Sequence, residues 1–325
     1  MSYTALVKNE LVSVPEIQTD CELAQLSALI RVSGTLSMHG PGKFAVRIVT
    51  ETGTVARTVI SSSRRLFDLG TSVEYRRSIM HKKRNYLLEI SNQDSLAEAL
   101  SALGIYIPGE GLVSGIPKSV IRTKQAQRAF LRGAFMAGGF LADPLKDFHL
   151  EIAVSGERFA TELVKLMGSI GVKARLNHRN RHTNALMRTR EIYAVYLKSS
   201  DDIIKFLREI GAPTMARAIA FTRVQKHYRN NVNRVVNAEM ANQTRSSNAA
   251  ADQLALIEKA EKLVGLRALP PAVRDFCLAR KDNPELSLSA LGESFVPPVS
   301  KSAMYHRLLR LEKIVQRSEE HTSEL

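Results

Sequence analysis

Positive charge is concentrated in two stretches of the chain that contain no Asp or Glu. Residues 76–84 carry five Lys and Arg side chains, and residues 173–190 carry six. Such groups bind phosphate oxygens. The stretches therefore predict a surface for a polyanion, although a solvated hairpin in each half would have the same composition. The two sets are Arg76, Arg77, Lys82, Lys83, Arg84, Lys173, Arg175, Arg179, Arg181, Arg188 and Arg190.

A third basic segment, 223–234, adds four positive charges around three asparagines, and its candidate contacts are Arg229 and Arg234. The whole chain of 325 residues has a net charge of +14 and a pI near 9.9. A protein this basic usually binds a polyanion. Charge and clustering together favour double-stranded DNA as the partner, with one basic ribbon for each strand or half-site.

Other residue types that could do chemistry are few. His178 and His182 have the i,i+4 spacing of a metal pair, but the arginines around them would repel a cation. Cys21 and Cys277 are too isolated to indicate a disulfide framework or a zinc site. We therefore expect no metal site and no cofactor. The chain shows neither an apolar run of about 18 residues nor a secretory signal, which predicts a cytoplasmic, nucleoid-associated protein without a membrane span.

An internal repeat indicates how these residues are positioned. The segment LSALIRVSG at 26–34 matches LRGAFMAGG at 131–139, and residues 85–104 match 192–211 without a gap. Small residues at helical spacing allow two helices to pack closely. Each half is predicted to run helix, strand, helix, strands, helix. The repeat predicts an α+β, pseudo-twofold domain around a central helix pair; the alternative is two α+β units that are unrelated to each other.

The last third of the chain is predicted to be helical. Helices are expected from Asn248 to Gly265, from Pro271 to about Lys281, over LSALGESF with Ser287 as its N-cap, and from its N-cap Ser300 to about Gln316. The last of these helices carries an apolar stripe formed by Met304, Leu308, Leu311 and Val315. A short helix, a turn and a longer basic helix form a helix-turn-helix plan, although a three-helix bundle that binds protein is the alternative. The predicted DNA contacts are Ser300, Lys301, Ser302, Tyr305, His306, Arg307, Arg310 and Lys313.

The nine-residue repeat resembles the LAGLIDADG motif of homing endonucleases, and the whole of residues 1–317 resembles the WhiA family of bacterial regulators. The most specific stretches are FLRGAFMAGG at 130–139, NRVVNAEMAN at 233–242 and SKSAMYHRLLRLEKI at 300–314. The resemblance implies a sequence-specific transcriptional regulator of sporulation and cell division. It also implies a DNA contact in the joining segment and a WhiB-type regulator as a partner. RNA polymerase is the partner expected if the first domain is a protein-interaction module.

The motif also bears on catalysis. LAGLIDADG nucleases need a carboxylate near the end of each motif helix to hold divalent metal. Those positions are Ser33 and Gly138 here, which predicts a nuclease scaffold that does not cut. Arg31 and Arg132, close to the motif, would suit phosphate. Two other functions remain open: an active metal-dependent endonuclease, and a protein-interaction module with minor DNA contact.

The expected organisation has four parts. Residues 1–218 form the LAGLIDADG-like domain, with pseudo-repeats at about 22–107 and 130–212. A basic linker at 219–247 precedes the helix-turn-helix domain at 248–317. Residues 318–325 match translated sequencing-adapter DNA and are interpreted as an artefactual tail. We expect a monomer, because the repeat removes the need for a dimer in the first domain.

Overall fold

The computed structural model describes residues 2–15, 18–40, 43–77, 84–91, 93–182 and 189–323. The chain separates into two compact units, Met1–Lys226 and His227–Leu325. Within the described part, no helix is both long enough and apolar enough to cross a bilayer.

The first unit contains two copies of one α+β arrangement. After helix α1 (Tyr3–Val12), the first copy comprises α2 (Thr19–Ser33), β1 (Gly34–Met38), β2 (Phe44–Thr50), α3 (Gly53–Phe67), β3 (Ser72–Arg77), β4 (Arg84–Ile90) and α4 (Leu96–Ala102). A small hairpin, β5 (Tyr106–Ile107) and β6 (Gly111–Leu112), follows. The second copy comprises α5 (Lys124–Gly138), β7 (Gly139–Leu141), β8 (Leu150–Val154), α6 (Glu157–Ser169), β9 (Arg175–His182), β10 (Thr189–Leu197) and α7 (Ser200–Ile210).

The two sheets have the same topology, with strand orders β1-β2-β4-β3 and β7-β8-β10-β9, and every pair in them is antiparallel. The predicted α+β class and repeat are therefore confirmed. The predicted order was wrong in one respect, because each half has two strands, not one, between its first and second helices. The additional strands β1 and β7 are short, and β1 is mostly exposed, so their hydrophobic pattern is weak.

Helices α2 and α5 pack against each other through their small residues at the centre of the first unit. Gly133 lies so close to α2 that a Cβ there would overlap the Gln25 carbonyl oxygen and lie 3.0 Å from Ala28 Cβ. The core continues from this pair to the inner faces of both sheets and to the surrounding helices. The close approach of the two backbones explains why glycine stands at this helical position.

The second unit is helical. Helix α8 (Pro213–Leu263) begins in the first unit and continues into the second, a 3-10 turn spans Leu266–Ala268, and α9 (Pro271–Asp282), α10 (Leu288–Glu293) and α11 (Lys301–Ser323) follow. Its hydrophobic core draws side chains from all four helices and from the segment after α8, and they are Ile257, Ala260, Leu269, Val273, Phe276, Cys277, Leu291, Met304, Leu308, Leu311 and Val315.

Two expected helix limits differ from the structure. A helical start at Asn248 was wrong, because α8 begins at Pro213 and includes all of 219–247. No Gly or Pro occurs between residues 214 and 264. The helix is therefore not interrupted there, although most of its side chains are exposed and show no core-facing pattern. The helix after Ser300 also continues past Gln316 to Ser323.

Candidate nucleic-acid interface

The C-terminal ends of the central helices α2 and α5 carry no acidic side chain. The Ser33 hydroxyl donates a hydrogen bond to the Leu29 carbonyl oxygen at 2.7 Å, one turn back in α2. A Cβ at Gly138 would lie 2.5 Å from the Ala153 carbonyl oxygen and 2.7 Å from Val32 Cγ1. The end of α5 therefore has no room for a carboxylate without movement of the backbone.

Equivalent side chains in the two halves hold equivalent helix ends. The Ser27 hydroxyl donates to the Leu103 carbonyl oxygen at 2.7 Å, and Arg132 Nε donates to the Ile210 carbonyl oxygen at 2.8 Å. Ser27 and Arg132 are both the second residue of their nine-residue segments, and Leu103 and Ile210 match in the longer repeat. The repeat therefore extends to individual hydrogen bonds.

Arg31 and Arg132 do not have the role that the sequence suggested, because both donate to carbonyl oxygens inside the first unit. Arg31 bonds to the carbonyls of Val113, at 2.9 Å, and Gly104. Arg132 also reaches across the helix pair to Gln25 Oε1 at 3.1 Å. Burial lowers the pKa of each guanidinium to about 10, so both remain charged at neutral pH. The expectation that they suit phosphate was wrong.

Part of the basic stretch of the second half lies on strand β9. Arg175 and Arg179 are exposed on one face of the sheet, and Arg179 pairs with Glu151 of β8 at 3.1 Å. Arg181 is opposite Arg190 in the register of β9 and β10. His178 and His182 lie on this extended strand, so four residues separate their Cα atoms by about 13 Å, too far for a shared metal ion.

The basic stretch of the first half is placed in the equivalent hairpin. Arg76 of β3 is opposite Asn85 of β4, and Arg77 is opposite Arg84. The sheet also carries an ion pair between Arg47 and Glu89 at 3.1 Å. Three residues of the two predicted ribbons, Lys82, Lys83 and Arg188, lie outside the described residues. Lys173 is exposed just before β9.

Two acids that form ion pairs on these sheets were missed. Glu89 and Glu151 lie on the solvent-facing sides of the two sheets, within ion-pair distance of arginine. The alternation of buried and more exposed residues along β2 and β8 is visible in the sequence and could have placed the polar faces of both sheets. The cross-strand pairing that brings acid and base together depends on register, which the sequence left open.

The third basic segment lies on α8, where its side chains have different surroundings. Arg223 pairs with Asp201 of α7, and Lys226 Nζ lies 4.8 Å from the centre of the Phe148 ring. Arg229 and Arg234 are exposed on the part of the helix that belongs to the second unit. Residues 227–245 are exposed on all sides of the helix.

The predicted helix-turn-helix is formed by α10, a turn and α11. Ser287 Oγ accepts from Ala290 N at 3.2 Å and Ser300 Oγ accepts from Ala303 N at 3.3 Å, so both predicted N-caps are confirmed. In the turn, Val299 N donates to the Gly292 carbonyl oxygen at 2.9 Å. A Cβ at Gly292 would overlap the Val299 carbonyl oxygen, which explains the glycine.

The predicted apolar stripe of α11 is buried and its polar side is open. The apolar side chains pack into the core of the second unit. Among the predicted contacts, those that are exposed are Ser300, Lys301, Ser302, Tyr305, His306, Arg310 and Lys313. Arg307 differs, because it is half-buried with its guanidinium carbon 5.2 Å from the centre of the Phe295 ring. The helix therefore presents a basic, polar surface of seven side chains.

Fold and site together define a LAGLIDADG-like α/β protein with a C-terminal helix-turn-helix domain. Three family descriptions match successive segments: WhiA N-terminal LAGLIDADG-like domain at 19–106, WhiA LAGLIDADG-like domain at 127–229 and WhiA C-terminal HTH domain at 232–315. The chain belongs to the WhiA family.

Relatives and a solved structure cover almost the whole chain. It is 33% identical over 320 residues to a probable cell division protein WhiA of Clostridium novyi (strain NT), covering 97% of this chain and 98% of the relative. It is 36% identical to the corresponding protein of Desulforudis audaxviator (strain MP104C), covering 97% of each. The crystal structure of full-length DUF199/WhiA from Thermatoga maritima matches with 25% identity and a TM-score of 0.58, covering 98% of this chain and 99% of that one.

Proposed function

We propose that this protein is a sequence-specific DNA-binding regulator of transcription in sporulation and cell division. The observation that carries the proposal is the second unit, in which a capped helix-turn-helix presents the polar N-terminal half of α11 to solvent. A helix exposed in this way fits the major groove, where Lys and Arg bind guanine or phosphate. The relatives' printed name supports a role in cell division.

The first unit is proposed to hold phosphates without cutting DNA. Arg175 and Arg179 of this unit offer exposed guanidinium groups on one sheet face. In the second unit, the exposed Arg234 of α8 is proposed as a further phosphate contact. RNA polymerase and a WhiB-type regulator are proposed as further partners. The nucleoid is proposed as the location of the protein.

The proposed domain organisation has three parts, residues 1–218, 219–247 and 248–317. Residues 318–325 are proposed to be an artefactual tail.

Replacing Lys301 or Arg310 with Ala should weaken specific DNA binding by about 1–3 kcal/mol, because a base-reading contact of this kind contributes that amount. Affinity of every variant should fall steeply with salt, since phosphate contacts release counterions. A gel-shift series on the parent's own operator, selected from genomic DNA, measures both effects. Lys262→Ala is the matched control, because Lys262 is exposed on α8 and its replacement removes the same charge. Equal affinities for all three variants would reject α11 as the reading helix.

Plasmid DNA incubated with the protein and Mg²⁺ or Mn²⁺ should remain intact. A catalytic site for hard divalent ions is built chiefly from carboxylate oxygens, whereas the C-terminal helix ends supply only the Ser33 hydroxyl and the Gly138 backbone. Among the described residues, no group of three His, Cys, Asp or Glu side chains could hold a metal ion. Metal-dependent nicking that co-purifies with the protein would support the endonuclease alternative.

A further inference from the structure

An apolar ridge runs along the exposed part of α8. Tyr228, Val232, Val236 and Met240 follow one another at intervals of four residues and are 73%, 43%, 45% and 62% exposed. Side chains at this spacing form a continuous row on a helix, the kind of ridge that packs between the ridges of a second helix. Contiguous exposed apolar side chains of this size mark a surface that binds a partner.

The residues of the ridge are arranged symmetrically about position 234, so apolar side chains occur at the same distances before and after it. Tyr228 and Met240 are each six positions from Arg234, and Val232 and Val236 are each two positions from it. Charged residues flank the ridge with the same symmetry, since Arg229 and Glu239 are each five positions from the centre. At about 100° of rotation per residue, Arg234 itself points away from the middle of the ridge.

We propose that this face of α8 packs against the same face of a second copy, with the two helices antiparallel about a twofold axis near position 234. Each Tyr228 then meets the second copy's Met240, and each Val232 meets the second copy's Val236. An interface of this kind is isologous, because the same patch serves both copies.

Charge complementarity favours a second copy as the occupant. Arg229 and Glu239 are ten residues apart, which is about 15 Å along a helix, so they are too distant to pair within one copy. In the antiparallel pair, each Arg229 faces the second copy's Glu239, and the contact is made twice. Glu239 is the single acid between residues 210 and 251.

The same acid disfavours DNA on this face, because a carboxylate beside the ridge repels phosphate and apolar side chains offer phosphate no contact. Arg234, Asn230 and Asn237 lie toward the other side of the helix, so the dimer leaves that polar side open. A dimer of this kind differs from the monomer expected from the internal repeat, because that repeat concerns the first unit alone.

Sedimentation equilibrium of the full chain, without DNA, tests the charge pairing. A ridge of four apolar side chains forms a small interface, so the measurement should extend to about 100 µM chain, where weak dimers are populated. Arg229→Glu and Glu239→Arg should each weaken dimerisation at least tenfold, and the double variant should recover most of the loss. A parent that sediments as a monomer throughout, or a double variant weaker than both single ones, would overturn the proposal.

Disulfide cross-linking tests the geometry. The variant Val232→Cys/Val236→Cys should give a covalent dimer under mild oxidation, because each new thiol faces one in the second copy. Asn230→Cys/Arg234→Cys is the control, with the same spacing on the other side of the helix, and native Cys21 and Cys277 are both buried. Circular dichroism checks that both variants are folded. Equal cross-linking of the two pairs, or binding of DNA in place of a second copy at the ridge, would overturn the proposal.

Discussion

Replacing Gly133 with Ala is expected to destabilise the first unit by about 3 kcal/mol, the upper part of the range for an overpacked core. The new Cβ would overlap the Gln25 carbonyl oxygen and lie 3.0 Å from Ala28 Cβ. The atom it meets belongs to backbone, so no side-chain rotation can relieve the overlap. Helices α2 and α5 would have to separate, and the packing around them is the centre of the core.

The sign of the effect makes the prediction specific. In a helix interior, Gly→Ala normally stabilises by about 0.5–1 kcal/mol, because Ala has less backbone entropy to lose. Gly168→Ala should show that ordinary gain, since Gly168 lies in α6 of the same unit and a Cβ there would meet nothing within 4 Å. Two identical substitutions in one unit should therefore shift stability in opposite directions.

Thermal and urea unfolding followed by circular dichroism measure the pair. For a unit of about 200 residues, 1 kcal/mol shifts Tm by about 2–4 °C, so Gly133→Ala should lower Tm by roughly 6–12 °C. Gly168→Ala should raise it slightly. If the two variants have the same stability, the helices are not held in backbone contact at Gly133, and the assignment of this pair as the centre of a LAGLIDADG-like scaffold loses its main support.

The sequence predicted the features that repeat or follow a period. The matched segments at 26–34 and 131–139 predicted the central helix pair, α2 and α5. The N-cap and apolar stripe after Ser300 predicted the last helix, α11. Both depend on local patterns that packing reinforces. The continuity of α8 could not be found in this way, because residues 227–245 are exposed on all sides of the helix and lack a buried face to set a period.

The candidate site was predictable in composition and less so in position. Exposed Lys301 and Arg310 follow from the period of α11. Arg31 and Arg132 were misassigned because a charged guanidinium in a motif suggests a position at the surface. In the structure, both groups donate hydrogen bonds to carbonyl oxygens of residues distant in sequence. Which charges meet Glu89 and Glu151 depends on strand register, and no local pattern contains that information.

Arg280 is expected to be the largest single polar contribution to the second unit. It is 1% exposed. Its Nε donates to Gln253 Oε1 at 3.0 Å, and its Nη1 donates to the carbonyl oxygens of Asn283 and Leu286 at 3.2 and 2.6 Å. One guanidinium thereby joins α8, α9 and the turn before α10. Burial lowers its pKa from the ordinary arginine value.

Arg280→Met should destabilise the second unit by about 2–5 kcal/mol. Each buried polar group left without a partner costs about 1–3 kcal/mol, and the substitution removes the donors for three oxygens. Arg280→Lys should lose much of the same stability, because a single ammonium cannot reproduce the planar fork. Lys281→Met is the neighbouring control. Its exposed pair with Glu261, at 2.6 Å, should contribute no more than about 1 kcal/mol.

DNA binding connects this contact to function. The turn that Arg280 holds leads directly into α10, so its loss should loosen the helix-turn-helix without removing any proposed DNA contact. Arg280→Met should therefore bind DNA less tightly than the parent while the slope of affinity against salt stays the same, because the number of phosphate contacts is unchanged. Arg310→Ala should also bind more weakly, but it should keep the stability of the parent. An Arg280→Met protein as stable as Lys281→Met would show that solvent replaces the three hydrogen bonds, and that the turn before α10 is held by apolar packing alone.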